Sequence, residues 1–216
     1  MSNQGKRIEV CVTQRLLQGD SGCPLYIMAH GAGAPMDSPF MNAMAEGLVA
    51  QGIRVLRFEF DYMYQRRQTG KKRPPERADK LLACFQRVID EAAADEPVVI
   101  GGKSMGGRMA TLLAAERDVA GVAVLGYPFH ALGKPDKLRV EHFADLSAPV
   151  LICQGERDPM GNALEVAEYD LPAQIRVQWF ADGDHDLKPR KASGLTHEQH
   201  MQSAIEAVAG FIKECV

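Results

Sequence analysis

The chain has 216 residues, of which 46% are hydrophobic and 25% charged, with a formal net charge of −3. That length suits one domain with a sizeable core, and the composition is that of an ordinary soluble globular protein. The near-balanced charge gives no reason to expect nucleic acid or an anionic membrane as partner, and no apolar run approaches the roughly 20 residues that span a bilayer. The first residues, MSNQGKRIEV, lack the apolar segment of a signal peptide. The five cysteines (Cys11, Cys23, Cys84, Cys153 and Cys215) are odd in number and contain no C-x-x-C. They read as reduced thiols of a cytoplasmic protein rather than a disulfide frame or a zinc site.

Strand and helix patterns alternate along the chain. Ile8–Val12 alternates apolar and polar side chains, and Leu25–Ala29 is a continuous apolar run ending at His30-Gly31. Ser38-Pro39 reads as an N-cap followed by proline at the first helical position. Met41, Met44 and Leu48 give that helix an apolar stripe, which Gly52 closes. Ile53–Phe58 is the next expected strand. Asp61–Arg77 reads as a loop rich in Arg66, Arg67, Lys71, Lys72, Arg73 and Arg77: a solvated surface segment or an anion-attracting rim. Leu81, Leu82, Phe85, Val88 and Ile89 form the core face of a helix leading to a strand at Val98–Ile100. Further strands are expected at Val122–Leu125, Val150–Cys153 and Ile175–Phe180, with a helix around Leu164. Met201, Ile205, Val208 and Ile212 mark an amphipathic closing helix. With no repeat and no linker, residues 1–216 read as a single α/β domain, a mostly parallel sheet with helices on both faces.

The stretch VVIGGKSMGGRMATLLAAE, Val98 to Glu116, carries two motifs at once. Its G-K-S ends like a nucleotide-binding P-loop, but that motif needs a glycine where Pro97 stands. Proline has no N–H to offer a phosphate. The G-K-S-M-G pentapeptide also fits a nucleophile elbow, in which serine sits on a tight strand-to-helix turn relieved by flanking glycines. Gly102 and Gly106 stand two residues either side of Ser104, and Met105, Met109, Leu112 and Leu113 repeat at helical spacing.

An alcohol is a weak nucleophile near neutral pH, so Ser104 needs a base and the base needs an orienting acid. QGERDPMG places Asp158 just after the Val150–Cys153 strand, and ADGDHDL places His185 just after Ile175–Phe180. Both fall at the carboxyl edge of a parallel sheet, where open α/β folds gather their sites. The acid could also be Asp184 or Asp186, but residues flanking a histidine cannot readily face its ring nitrogen while that ring faces the serine. An oxyanion hole would use the N–H of Met105 and that of Ala32, in AHGAGAP, with Gly31 and Gly33 letting substrate approach the backbone. His30 reads as a brace for its loop, and His197 and His200 as helix-face residues without metal.

Taken together, the HGAG loop, GKSMGG, GERDPMG, GDHDL and the final helix resemble the α/β-hydrolase superfamily over nearly the whole chain. Within it the chain looks most like small cap-less proteins related to dienelactone hydrolases. GKSMGG and HGAGAPMDSPFM resemble the testis-expressed and KAT8-complex-subunit-3-like branch. The resemblance implies Ser104 as nucleophile, His185 as base and Asp158 as orienting acid. Dienelactone hydrolases carry cysteine at the nucleophile position, so their substrate is not carried over. In hydrolases of this architecture a lid is usually inserted where Gly126–Ser147 stands, and 22 residues leave room for little more than a flap.

The resulting expectation is a serine hydrolase of small soluble carboxylic esters, thioesters or amides, working through an acyl-enzyme without metal or organic cofactor. A shallow site is expected, with the basic Asp61–Arg77 segment drawing in acidic substrates if it reaches the mouth. A homodimer is left open. The competing expectation is a catalytically silent interaction module that retains the fold and docks through the basic segment.

Overall fold

The computed structural model describes residues 14–93 and 96–216. The strand expected at Ile8–Val12 lies outside them, as does Cys11. In chain order the elements are β1 (Arg15–Gln18), β2 (Leu25–Ala29), α1 (Pro39–Ala50), β3 (Arg54–Phe58), α2 (Asp61–Thr69), α3 (Ala78–Ala92), β4 (Val99–Lys103) and α4 (Met105–Ala114). They continue with β5 (Gly121–Leu125), β6 (His130–Ala131), β7 (Lys134–Leu138), β8 (Val150–Gly155), α5 (Ala163–Val166), β9 (Ile175–Phe180) and α6 (His197–Cys215).

Among the described residues seven strands form one sheet in the order β1-β3-β2-β4-β5-β8-β9. Among the described strands of this sheet only β1 runs antiparallel, pairing with β3; the remaining neighbours are parallel. Successive side chains of a strand point to opposite faces, so each fully buried strand feeds two cores. Ile27, Ile100, Val122, Val124 and Ile152 pack with Phe85, Val88, Met109 and Leu113 from α3 and α4. Met28, Val99, Leu125, Leu151 and Cys153 pack on the other face with Met41, Met44 and Leu48 of α1 and Ile205, Val208 and Ile212 of α6. The parallel sheet thus brings the carboxyl ends of β2, β4, β8 and β9 to one edge.

The structure differs from the sequence reading in three places. The first half of the Asp61–Arg77 segment is helix α2, ended by Gly70 in the left-handed conformation (φ 67°). Its pattern is weakly amphipathic, and tertiary contacts hold it. Its own Tyr62 and Met63 are buried, and Arg67 donates to both Glu59 and Asp37. Strand β1 was unforeseen because RLLQ lacks alternation; it forms by pairing along β3 from Arg15↔Phe58 to Gln18↔Val55. Strand β4 runs past Ile100 through Gly101, Gly102 and Lys103, in register with Ala123, Val124 and Leu125 of β5.

The 126–147 segment forms a short antiparallel hairpin of β6 and β7 followed by a 3-10 turn at Glu141–Asp145. It is a flap, with no lid domain.

Candidate functional site: a serine on a strained strand–helix turn

Ser104 lies between the end of β4 and the first residue of α4, with φ 52° and ψ −115°. A non-glycine residue holds such a conformation only when its surroundings impose it, at a cost of about 1–3 kcal/mol. Those surroundings are visible. The Ser104 N–H donates to Leu125 O at 3.0 Å, and its carbonyl accepts from Arg108 N at 3.0 Å. The flanking glycines are required by close approach: a Cβ on Gly102 would stand 2.1 Å from Ala29 O, and one on Gly106 2.6 Å from the same atom. The elbow helix is thereby pressed against the end of β2.

Ser104, His185 and Asp158, distant in the chain, form one hydrogen-bonded line. His185 Nε2 is 2.8 Å from Ser104 Oγ, and His185 Nδ1 is 2.7 Å from Asp158 Oδ2. Asp158 is fully buried. Its other bonds come from Met160 N to Oδ1 at 2.9 Å and Gln154 Nε2 to Oδ2 at 3.0 Å. A carboxylate so placed fixes Nδ1 as the protonated ring nitrogen and leaves Nε2 to accept the hydroxyl proton.

Asp184, the rival acid, faces away. Its Oδ1 accepts from the N–H groups of Asp186 and Lys188, capping the turn that carries His185. Asp186 forms an ion pair with Lys103 Nζ at 3.2 Å.

Two positioning residues went unrecognised in the sequence. Lys103, dismissed with the P-loop, is buried and donates from Nζ to His185 O at 2.7 Å, with its ammonium over the Phe40 ring. Burial pulls its pKa down, opposed by Asp186. Gln154 is buried at the end of β8. Its oxygen accepts from Tyr127 N at 2.7 Å, while its Nε2 lies within bonding distance of Tyr127 O, Gly161 O and Asp158. The signal was a polar residue closing an otherwise apolar strand.

Three further histidines are fasteners. His30 Nδ1–H donates to Gly31 O at 2.7 Å and Nε2 accepts from Phe60 N at 3.2 Å, so its neutral ring ties the 31–34 loop to the end of β3. Burial lowers its pKa, in keeping with that state. His197 and His200 donate to Asp186 O and Leu187 O, at 2.9 and 2.8 Å. Both therefore clamp the turn after His185. Among the described residues no cluster of three or more His, Cys, Asp or Glu is placed to hold a metal ion.

Two clefts flank Ser104. One, of about 320 Å³, is lined by Gly31, Gly33, Phe40, Lys103 and His185. The other, of about 310 Å³, is lined by Pro75, Met105, Met109, Arg108, Arg139 and Met160 among others. Ala32 borders both. The Ala32 carbonyl accepts from Tyr62 Oη at 3.1 Å. Neither the Ala32 nor the Met105 N–H donates to a backbone acceptor among the described residues. Gly33 has open space where a Cβ would stand, and Gly31 meets only ordinary contacts, so packing alone demands glycine at neither.

The basic segment reaches this region differently from expectation. Arg66 donates to Gly33 O at 3.1 Å, and Pro75 and Glu76 line the second cleft. Lys71, Lys72 and Arg73 stay exposed. The cleft's cations come instead from α4 and the flap.

A parallel sheet whose central strand delivers a serine through a Gly-flanked turn into a helix, with acid and histidine on later strand ends, defines a class of protein. The family model for the alpha/beta hydrolase domain matches residues 23–213. The chain belongs to that family. Solved structures with the same fold include Est1E from Butyrivibrio proteoclasticus with ferulic acid bound, at 18% identity and TM-score 0.69, covering 94% of this chain and 95% of that one. A monoacylglycerol lipase from Paleococcus ferrophilus matches at 15% identity and TM-score 0.64, covering 92% and 98%. An esterase from Pyrococcus furiosus matches at 14% identity and TM-score 0.65, covering 91% and 84%.

Proposed function

We propose that the protein is a serine hydrolase that cleaves small soluble carboxylic esters through an acyl-enzyme on Ser104. The carrying observation is the line of hydrogen bonds from Asp158 through His185 to Ser104 Oγ, at 2.7 and 2.8 Å. Ser104 Oγ attacks the ester carbonyl as His185 Nε2 takes its proton. Asp158 holds the ring and stabilises the imidazolium. The N–H groups of Met105 and Ala32 receive the charge that develops on the carbonyl oxygen. Collapse of the tetrahedral intermediate breaks the bond to the alkoxy oxygen, which receives the proton from His185. Water, deprotonated by the same histidine, then releases the acid and regenerates Ser104.

Two further features support the substrate class. The clefts hold about 320 and 310 Å³, near the lower end for small-molecule sites. The 126–147 flap adds no extended apolar wall for a long acyl chain. Kinship with the small cap-less dienelactone-hydrolase-like proteins, on the testis-expressed and KAT8-complex-subunit-3-like branch, is part of the same proposal. A scaffold has no physical need for all three residues in register. Purified protein should hydrolyse 4-nitrophenyl acetate or butyrate, and Ser104→Ala should reduce turnover to the uncatalysed rate while leaving the circular dichroism spectrum unchanged. Near wild-type turnover in that variant refutes the assignment.

A further inference from the structure

We infer that the Arg108/Arg139 cleft beside Ser104 is the acyl pocket and binds a carboxylate at the far end of the acyl chain, making monoesters of short dicarboxylic acids the preferred substrates. This rests on the hydrolase reading above and specifies its substrate.

The two clefts are chemically unequal. The first contains His185, which must protonate the departing alcohol, so the leaving group belongs there. The second lacks His185 and is lined by Ser104, Met105, Arg108 and Arg139 among others. The acyl group, still bound to Ser104 Oγ after the alcohol leaves, belongs there. Leu81, Met105, Met109, Pro128 and Met160 supply an apolar stretch for a few methylenes.

Both cations are half-buried and available. Arg108 Nε is buried without a hydrogen-bond partner. Among the described residues neither guanidinium pairs with a carboxylate. A planar guanidinium offers paired donors that match a carboxylate, and two of them in one cleft fit it better than any neutral group. Glu76 brings a carboxylate to the same cleft and has a partner of its own within the chain. It leaves an excess of positive charge.

The chain holds Arg139 in place. Its N–H donates to Phe129 O at 2.8 Å, and its carbonyl accepts from Tyr127 Oη at 2.7 Å. Arg108 sits one helical turn after Ser104, about 6 Å along the helix axis, which sets a short acyl chain. The two cations line one cleft and lie close enough to influence each other. Burial and then Arg108 lower the pKa of Arg139, and the same two causes push His142 down to about 4.

The test compares the 4-nitrophenyl monoester of adipic acid with its neutral isostere, the 4-nitrophenyl ester of adipamic acid, after subtracting the enzyme-free rates. The kcat/KM ratio should favour the carboxylate by about tenfold or more, the size expected of a hydrogen bond to a charged group. That ratio should shrink with added salt. Arg108→Gln and Arg139→Gln should each collapse it toward one, chiefly through KM. Calorimetric binding of the adipate monoester to Ser104→Ala supplies a readout independent of turnover. It should be tighter than that of the adipamate ester and weakened when Arg108→Gln is added. Hydrolysis of both esters at equal rates overturns the pocket and leaves the hydrolase reading standing. Equal losses on both esters in the arginine variants assign the pair a structural role and overturn it likewise. Hydrolysis of neither ester overturns the pocket when 4-nitrophenyl acetate is still turned over; when acetate is not turned over either, it sinks the hydrolase reading, and equal binding of the two esters to Ser104→Ala then sinks the pocket as well.

Discussion

Gln154 and Asp158, four residues apart at the end of β8, are joined by a buried hydrogen bond of 3.0 Å from Gln154 Nε2 to Asp158 Oδ2. The same amide bonds both the N–H and the carbonyl of Tyr127. One side chain therefore orients the acid behind His185 and fastens the base of the flap that carries Arg139.

Replacing Gln154 with Leu keeps the volume and removes every one of these bonds. The stranded Tyr127 N–H and carbonyl should each cost about 1–3 kcal/mol of stability. Activity should fall as well, because Asp158 loses a fixing bond. Urea unfolding and ester turnover check the pair of effects, and a variant as stable and active as the parent contradicts the role given to Gln154.

Asp158→Asn leaves the shape of the line intact and disturbs the histidine tautomer, so kcat should fall by roughly 10²–10⁴. Asp184→Asn retains an oxygen to accept from Asp186 and Lys188 and should cost far less. The reverse order of damage places the acid wrongly.

Ser104 was legible because three cues converge on it: an apolar strand, paired glycines and a helical stripe. Asp158 and His185 followed because each comes just after an apolar run, and parallel strands bring such positions to one edge. What escaped depends on partners far apart in the chain. Lys103 meets His185 O across 82 residues, and Gln154 meets Tyr127 across 27. Nothing local marks either pairing. Helix α2 looked like a loop because its charges read as solvated, whereas Arg67 is spent on Glu59, a buried carboxylate. Of the basic Asp61–Arg77 segment, Arg66 reaches the Gly33 carbonyl, while the cations lining the second cleft are Arg108 and Arg139, whose convergence depends on the path of the flap.

His142 supplies a pH test. Its Nε2–H donates to Thr111 Oγ1 at 2.8 Å, and its pKa is pushed down to about 4 by burial and then by Arg108. The unfolded chain takes up this proton near 6.5. The folded chain refuses it until about 4. Its stabilising contribution is therefore complete above 6.5 and declines as pH falls through the window from 6.5 to 4. His142→Gln keeps a donor for Thr111 and removes the titration. The loss of urea midpoint between pH 7.5 and 4.5 should be smaller in that variant, and an unchanged loss assigns the acid sensitivity elsewhere.

The backbone strain at Ser104 can be measured directly. Glycine reaches φ 52°, ψ −115° at little cost, so Ser104→Gly should be more stable than Ser104→Ala by about 1 kcal/mol, after the entropy glycine adds to the unfolded chain. Both variants lack the hydroxyl, which isolates the backbone term. An alanine variant as stable as the glycine one shows that the turn is unstrained.

The central claim is that His185 and Asp158 make Ser104 a nucleophile. An active-site fluorophosphonate, followed by peptide mass mapping, tests it without knowledge of the natural ester. The account predicts a single adduct on Ser104, absent in Ser104→Ala and formed at least about 100-fold more slowly in His185→Ala, the lower end of what a positioned general base contributes. A folded protein that takes no label, or takes it at another residue, contradicts the account.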